Sequence, residues 1–171
     1  MVKPAPVASN RLLDSLNPGD RALLTPHLKQ VEMIQGTLLQ EQGDQISYIY
    51  FPHSGMISLL AVMHQGNSVE TATVGREGTV GAMSGFGSRH AFTRAIVQAD
   101  GVASRIGTAK FQEAMKKSAT LRETIVRFNE GLLAHVQQTA ACNALHELEE
   151  RLCRWLLQTQ DRVGGNLITL T

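Results

Sequence analysis

The chain has few of the features that mark disulfide-rich, secreted or membrane proteins. Its 171 residues contain two cysteines, Cys142 and Cys153, which are too few for a disulfide framework. No apolar run approaches the roughly 20 residues that a membrane-spanning helix needs. The first ten residues lack the apolar segment of a signal peptide. We therefore expect a cytoplasmic protein that has no membrane partner.

The chain also lacks an excess of charge of either sign. Sixteen lysines and arginines against fifteen acidic residues give a formal charge of +1. A self-sufficient DNA-binding domain usually has a clearer basic excess. The hydrophobic content of 43% supports a folded core rather than global disorder. Its length suits one domain, or one domain and a fragment of a second.

No arrangement of side chains typical of catalysis or metal binding is found in the sequence. The six histidines are scattered, and no pair has metal-ligand spacing on a common element. Ser54 and Ser84 each precede a glycine but lack the strand–turn–helix context of a nucleophile. The sequence therefore predicts neither an enzyme nor a metal site, and no cofactor is certain.

Local signals divide the chain into helices, strands and helices again. Residues 1–10 contain two prolines and predict a flexible arm. Asn10 and Asn17 each have the character of a helix N-cap, and Pro18 suits a first helical position. From about Val31 to Ile106, glycines punctuate β-branched and aromatic runs at intervals of 7 to 12 residues. Short strands at this spacing are typical of an antiparallel sandwich or barrel.

The segment 69–101 carries five glycines between two strand-like runs, 69–74 and 93–99. Glycine at this density permits positive φ angles and close approach of the backbone to a ligand. One interpretation is a short helix or loop whose N–H groups surround a small anionic group. The other is a set of glycine-rich turns that join the strands of a barrel.

The helical period returns after Gly107. Residues 110–117 predict a short helix, and a long one begins after the N-cap Ser118 and runs to residue 143. Its apolar seam has coiled-coil spacing, which favours a dimer interface over packing on the chain's own barrel. The seam comprises Leu121, Ile125, Phe128, Leu132, His135 and Thr139. A further helix over 144–160 is followed by a turn at Gly164-Gly165 and the start of a strand, 167–171, which suggests a truncated chain.

The order of these parts resembles the catabolite-activator (Crp/Fnr) family of bacterial transcription regulators. Residues 39–55 (LQEQGDQISYIYFPHSG) resemble the hairpin that opens the family's β-roll, and residues 69–81 (VETATVGREGTVG) the entry to its phosphate-binding cassette. Residues 118–143 resemble the dimerisation helix. Residues 149–157 (EERLCRWLL) resemble the first helix of the winged helix-turn-helix domain.

The resemblance implies an α+β fold, an antiparallel β-roll (a jelly-roll-like double-stranded β-helix) between short N-terminal helices and a long dimerisation helix. The implied divisions are a cyclic-nucleotide-binding-like sensor over 11–117, the dimerisation helix over 118–143, and the start of a DNA-binding domain over 144–171.

The resemblance also implies an effector site. At two positions of this site, the residues of this chain differ from those of the family's cyclic-nucleotide binders. Ala82 stands where those binders carry a glutamate, and Thr93 where they carry an arginine. Arg94 is one residue late, and a one-residue slip on a strand turns a side chain to the opposite face. Arg94 can serve if a bulge restores the register, and Arg89 is a second candidate. The implied site comprises Gly81, Ala82, Met83, Ser84, Arg89, Thr93, Arg94, Val136 and Gln137.

The function implied is the effector-sensing and dimerisation part of a Crp/Fnr-type regulator with a degenerate cassette. The resemblance implies an unknown small-molecule effector, for which a nucleotide-like molecule is one candidate and cyclic AMP is not expected. The implied partners are a second copy of the chain, DNA through a recognition helix beyond Thr171, and RNA polymerase for the intact protein. The alternatives are a small-molecule-binding signalling module with no DNA role and a thiol redox sensor that pairs Cys142 across a dimer.

Overall fold

Within residues 9–163, the strand-like runs of the sequence form seven β-strands, and the helical segments on either side of them form five α-helices. The computed structural model describes residues 9–163. The strands β1 to β7 are Lys29–Met33, Leu38–Gln40, Tyr48–Pro52, Met56–Val62, Ser68–Val74, Arg94–Ala99 and Gly101–Gly107. The helices α1 to α5 are Arg11–Asp14, Pro18–Leu24, Thr108–Lys117, Ala119–Leu145 and Leu148–Val163. The predicted α+β fold with a β-roll is confirmed.

Two antiparallel sheets make the roll. One has the strand order β1-β7-β3, and the other has the order β2-β6-β4-β5. Side chains alternate between the faces of a strand, so each sheet turns one face to the core. In β6, for example, Ala95 and Val97 are buried, with 0% and 1% of their surface exposed. The inner residues of both sheets form one cluster, which also contains Met33, Ile57 and Val74.

The two asparagines predicted as N-caps occupy those positions. The Asn17 side chain accepts a hydrogen bond from the Asp20 backbone N–H. Asn10 accepts one from the Leu13 N–H at 2.9 Å. Asn10 is also 1% exposed, and its amide nitrogen donates to the carbonyls of Pro52 and Gly78. The predicted arm therefore cannot extend to residue 10, and residues 1–8 lie outside the described part of the chain.

The first half of α4 packs inside its own chain. The helix begins at the predicted N-cap, where the Ser118 hydroxyl accepts from the Leu121 N–H at 3.0 Å. Leu121 and Ile125 are 0% and 1% exposed, in a cluster with Phe51 and Phe111. The prediction that Leu121 and Ile125 form a dimer interface is wrong, because the chain's own β-roll and α3 already cover them.

The rest of the predicted seam also faces the chain itself. Phe128 and Leu132 are partly buried against the core of the roll. Thr139 is 8% exposed, and its hydroxyl oxygen lies 3.0 Å from a guanidinium nitrogen of Arg154 on α5. His135 is half-buried in a cleft that it shares with Arg162 of α5. These four side chains do not form one continuous exposed surface, because Thr139 is buried and the other three are half-buried.

Helix α5 lies against α4 and reaches the sheet. Its Arg162 forms an ion pair of 3.0 Å with Glu77, which follows β5. It begins at Leu148 rather than at the predicted residue 144, and α4 continues to Leu145 rather than ending at residue 143. The predicted turn and strand over 164–171 lie outside the described residues.

Cys142 does not present its thiol to a partner. It is 4% exposed, and its sulfur lies 3.2 Å from the amide nitrogen of Gln138. A disulfide across a dimer requires both sulfur atoms to meet at the interface. The burial of Cys142 argues against the predicted redox pairing in this conformation.

Candidate functional site

The glycine-rich segment forms a short 3-10 helix, Ala82–Phe86, on the path from β5 to β6. Gly81, which precedes it, has φ of +87°, and a Cβ atom there would lie 2.9 Å from the Tyr48 carbonyl oxygen. A left-handed backbone in such a tight position favours glycine. The segment is thus a loop with a short helix held between strands, and the binding of an anionic group by its N–H groups stays a prediction.

A cavity of about 280 Å³ lies between this loop, the second sheet and α4. We call it the roll cavity. It is lined by Gln40, Ile46, Leu59, Thr71, Thr79, Val80, Gly81, Ala82, Met83, Phe92, Thr93, Asn129, Leu132 and Val136. Among residues 9–163, no acidic or basic side chain contributes to this lining. Its polar side chains are those of threonine, glutamine and asparagine.

Several polar groups of the roll cavity already donate hydrogen bonds within the chain. The Thr71 hydroxyl donates to the Leu59 carbonyl at 3.0 Å, and the Thr79 hydroxyl donates to the Tyr50 carbonyl at 2.8 Å. The amide nitrogen of Gln40 donates to the Thr93 carbonyl. That of Asn129 donates to the carbonyl of Ile125, one turn earlier in α4. These bonds fix the orientation of the side chains around the cavity.

The Arg94 guanidinium is engaged outside the roll cavity. Its Nη2 atom lies 2.8 Å from a carboxylate oxygen of Glu41, and its Nε atom lies 2.9 and 3.0 Å from the two carboxylate oxygens. The hydrogen bond from Arg94 holds the pKa of the Glu41 carboxyl below its usual range. Two-point contact of this kind satisfies the planar guanidinium group.

An exposed apolar groove of about 540 Å³ adjoins the roll cavity along α4. We call it the α4 groove. Its exposed apolar side chains are Met83, Phe86, Phe92, Val126 and Leu133, with exposed fractions from 38% for Met83 to 66% for Phe92. Leu132 and Val136 line both the groove and the cavity. The two spaces therefore share a wall on α4.

Another cleft, between β5, α4 and α5, contains the Glu77–Arg162 ion pair and His135. Burial lowers the pKa of the His135 imidazole, and the positive charges of Arg162 and Arg154 lower it further. This imidazole therefore favours the neutral form more than a solvated histidine does.

Part of the chain matches a known protein family. Residues 30–118 match the family described as the cyclic nucleotide-binding domain. This stretch is more than half of the chain. The chain belongs to this family. A search of curated proteins found no significant match.

Several solved structures share the fold of this chain at low sequence identity. A transcriptional regulator of the Crp/Fnr family from Eubacterium rectale is 16% identical with a TM-score of 0.72, and the match covers 94% of this chain and 75% of that one. The c-di-GMP responsive global regulator CLP of Xanthomonas campestris is 17% identical with a TM-score of 0.69, and the match covers 87% of this chain and 75% of that one. The catabolite activator protein of Thermus thermophilus is 19% identical with a TM-score of 0.57, and the match covers 78% of this chain and 61% of that one.

The structure brings together part of the effector site implied by the resemblance. The residues of that site that line the roll cavity are Gly81, Ala82, Met83, Thr93 and Val136. Ser84 is buried, and its hydroxyl donates to the Gly81 carbonyl. Arg89 and Gln137 are exposed and lie outside the cavity lining, as does Arg94.

Four polar residues of the roll cavity were not predicted: Gln40, Thr71, Thr79 and Asn129. One sequence signal points to Asn129, since positions 129, 132 and 136 follow helical spacing on one face of α4. The sequence places Gln40 and Thr71 on separate strands, and only the sheet pairing brings them to the same cavity.

The described part of the chain has no cluster of side chains suited to a metal ion. Residues 9–163 contain no group of three or more histidine, cysteine or acidic side chains placed to hold a metal ion. The neighbours named above are regulators rather than enzymes. A search of the helices within residues 9–163 found none long and apolar enough to span a bilayer.

Proposed function

We propose that this chain is the effector-sensing and self-associating part of a Crp/Fnr-type transcription regulator. One observation carries the proposal: the wall of the roll cavity is built jointly by the sheet, the glycine-rich loop and α4. A ligand in the cavity contacts Asn129, Leu132 and Val136, so its binding energy acts directly on the helix. A ligand shifts a conformational equilibrium only through such differential contacts.

A role in DNA binding is proposed for the intact regulator through residues beyond α5. The likeness of the fold to named transcriptional regulators supports it. The alternative, a small-molecule-binding module with no DNA role, is supported by the balanced charge of the chain. Sequence-specific DNA binding by the intact protein, measured by fluorescence anisotropy against its own promoter, distinguishes the two.

Cyclic AMP is expected to bind weakly or not at all. Ala82 and Thr93 offer neither the carboxylate nor the guanidinium that the family's binders use, and Arg94 is paired with Glu41. Loss of two charge-assisted hydrogen bonds, at about 1.5–3 kcal/mol each, weakens binding by a factor of at least about 100. Titration calorimetry, with an authentic cyclic AMP receptor as the positive control, measures this. Micromolar or tighter binding contradicts the proposal of a degenerate cassette.

Self-association is proposed through the α4 groove instead of the seam predicted from the sequence. Val126 and Leu133 are seven residues apart, so they lie on one side of α4, and both are exposed. Phe86 and Phe92 extend this apolar surface from the loop. Heptad spacing of exposed apolar residues favours pairing with a second helix of the same kind. Contiguous exposed apolar patches typically mark interaction sites.

Leu133→Asp is expected to convert the homodimer to a monomer without unfolding it. Leu133 is 58% exposed in the single chain, so the carboxylate stays solvated in the monomer but meets its symmetry mate in the dimer. Sedimentation velocity at micromolar concentration measures the change, with circular dichroism as a check on folding. Leu157→Asp is the matched control, because Leu157 is 67% exposed on α5 and does not line the α4 groove. A Leu133→Asp variant that remains dimeric places the interface elsewhere.

A further inference from the structure

We propose that the roll cavity binds a small uncharged molecule that is mostly apolar and donates at least one hydrogen bond. This inference rests on the proposed function, since it takes the cavity to be the effector site. It goes further by assigning the chemical class of the effector, which differs from the anionic nucleotides that define the family. Charge, hydrogen-bonding capacity and size support it independently.

The first argument is electrostatic. No acidic or basic side chain of the described residues lines the roll cavity, and Arg94 is held outside by two-point contact with Glu41. An anion that leaves water for such a site loses its hydration without gaining an opposite charge. The same penalty applies to a cation. The cavity therefore selects neutral molecules over charged ones of similar shape.

The second argument concerns the hydrogen-bonding capacity of the lining. A threonine hydroxyl has one hydrogen to donate and two lone pairs to accept. In Thr71 and Thr79 that hydrogen is used by the carbonyls of Leu59 and Tyr50, so the two hydroxyl oxygens can only accept. The Gln40 and Asn129 nitrogens each give one of their two hydrogens to a backbone carbonyl and keep the other, while both amide oxygens are acceptors. The hydroxyl oxygens of Thr71 and Thr79 and the two amide oxygens give the lining more acceptors than donors, and a ligand that donates an O–H or N–H group complements them.

The third argument concerns size and polarity. The cavity volume of about 280 Å³ is slightly below the range of roughly 300–1,000 Å³ that is typical of sites for drug-sized ligands. Apolar side chains such as Ile46, Leu59 and Val80 form much of its wall. Phe92 and Met83 stand where the cavity meets the α4 groove. A neutral molecule about as large as a bicyclic aromatic compound fits these dimensions.

The experiment compares the binding of three probes of similar shape to the full chain. ¹H–¹⁵N correlation spectra of the protein measure this binding. Indole is neutral and donates an N–H, 1-methylindole is neutral and lacks the donor, and indole-3-acetate is an anion at neutral pH. We expect indole to shift the amide signals of Thr71, Thr93 and Leu132. Because one hydrogen bond contributes about 1 kcal/mol, 1-methylindole should bind roughly five- to tenfold more weakly. Indole-3-acetate should bind at least about 100-fold more weakly than indole.

Two variants locate the binding. Thr93→Trp places a large side chain in the cavity lining and is expected to abolish the indole-induced shifts. Arg89→Trp is the control on the same loop, because Arg89 is exposed and lies outside the lining. It should bind indole like the unmodified chain. Circular dichroism of both variants shows whether each is folded.

The outcomes separate the two proposals. Tighter binding of indole-3-acetate or cyclic AMP than of indole at the cavity residues overturns the assignment of a neutral ligand but supports the effector site. Equal binding of indole and 1-methylindole overturns the donor requirement. If none of the probes, charged or neutral, shifts the cavity residues, both the ligand class and the effector-site proposal fail.

Discussion

An aspartate in place of Ile125 is expected to unfold this domain, although the change lies on a helix predicted from the sequence to face a partner subunit. Ile125 is 1% exposed and packs in the cluster that contains Phe51, Phe111 and Leu121. Burial of an unpaired carboxylate costs several kcal/mol, and the lost apolar contacts add about 2–5 kcal/mol. The sum is comparable to the total stability of a typical domain, about 5–15 kcal/mol.

Val126→Asp is the matched control for this prediction. Val126 is the next residue along α4, but it is 39% exposed and lines the α4 groove. The carboxylate of the new aspartate stays in water, so the Val126→Asp variant should remain folded. Its self-association should be weakened as in Leu133→Asp. Far-ultraviolet circular dichroism and urea titration measure both variants. A folded Ile125→Asp protein with an ordinary urea midpoint contradicts the burial of this face within the chain.

The helical seam shows what periodicity can predict and what it cannot. The spacing of Leu121, Ile125, Phe128 and Leu132 correctly predicts one apolar face on a long helix. Spacing alone does not specify what covers that face, because a β-roll and a second helix both offer apolar surface. In the structure, the roll covers the first half of the face, and α5 covers the second half near Thr139. The exposed apolar side is therefore rotated around α4 to Val126 and Leu133.

The local signals predicted the secondary structure well because they have local causes. The caps at Asn10, Asn17 and Ser118 depend on side chains that bond to N–H groups three residues later. The strands β5 and β6 follow from apolar, β-branched runs that end in glycine or polar residues. Both kinds of signal depend on few neighbours, so a single sequence contains them.

The candidate site was only partly predictable because it is assembled from distant segments. The predicted site includes Arg94, but in the structure its side chain pairs with Glu41 and does not line the cavity. Its contact with Glu41 is 53 residues away in sequence, and no spacing rule predicts such a partner. The same holds for Gln40 and Asn129, which meet only when β2, β6 and α4 have packed together. Without these contacts, the sequence could not show that the lining is uncharged.

The backbone at Gly101 lies very close to the backbone of Ser54 and Gly55. Gly101 starts β7, pairs with Met33 of β1, and lies against the turn that joins β3 and β4. A Cβ atom there would lie 2.2 Å from the carbonyl oxygen of Ser54 and 2.7 Å from the backbone nitrogen of Gly55. The Ser54 turn cannot move away freely, because its hydroxyl accepts from the Val102 N–H and its own N–H donates to the Val102 carbonyl.

Gly101→Ala is therefore expected to lower the free energy of unfolding by about 1–3 kcal/mol or more, as overpacking of a fixed backbone does. Gly131→Ala is the matched control with the opposite expected sign. Gly131 lies within α4, and a Cβ atom there meets nothing within 4 Å, so alanine should raise the free energy of unfolding by about 1 kcal/mol through helix propensity. Urea titrations of both variants measure the two changes against the unmodified chain. A Gly101→Ala protein as stable as the unmodified chain would show that the β3–β4 turn moves aside at little cost, which the paired Ser54 and Val102 contacts argue against.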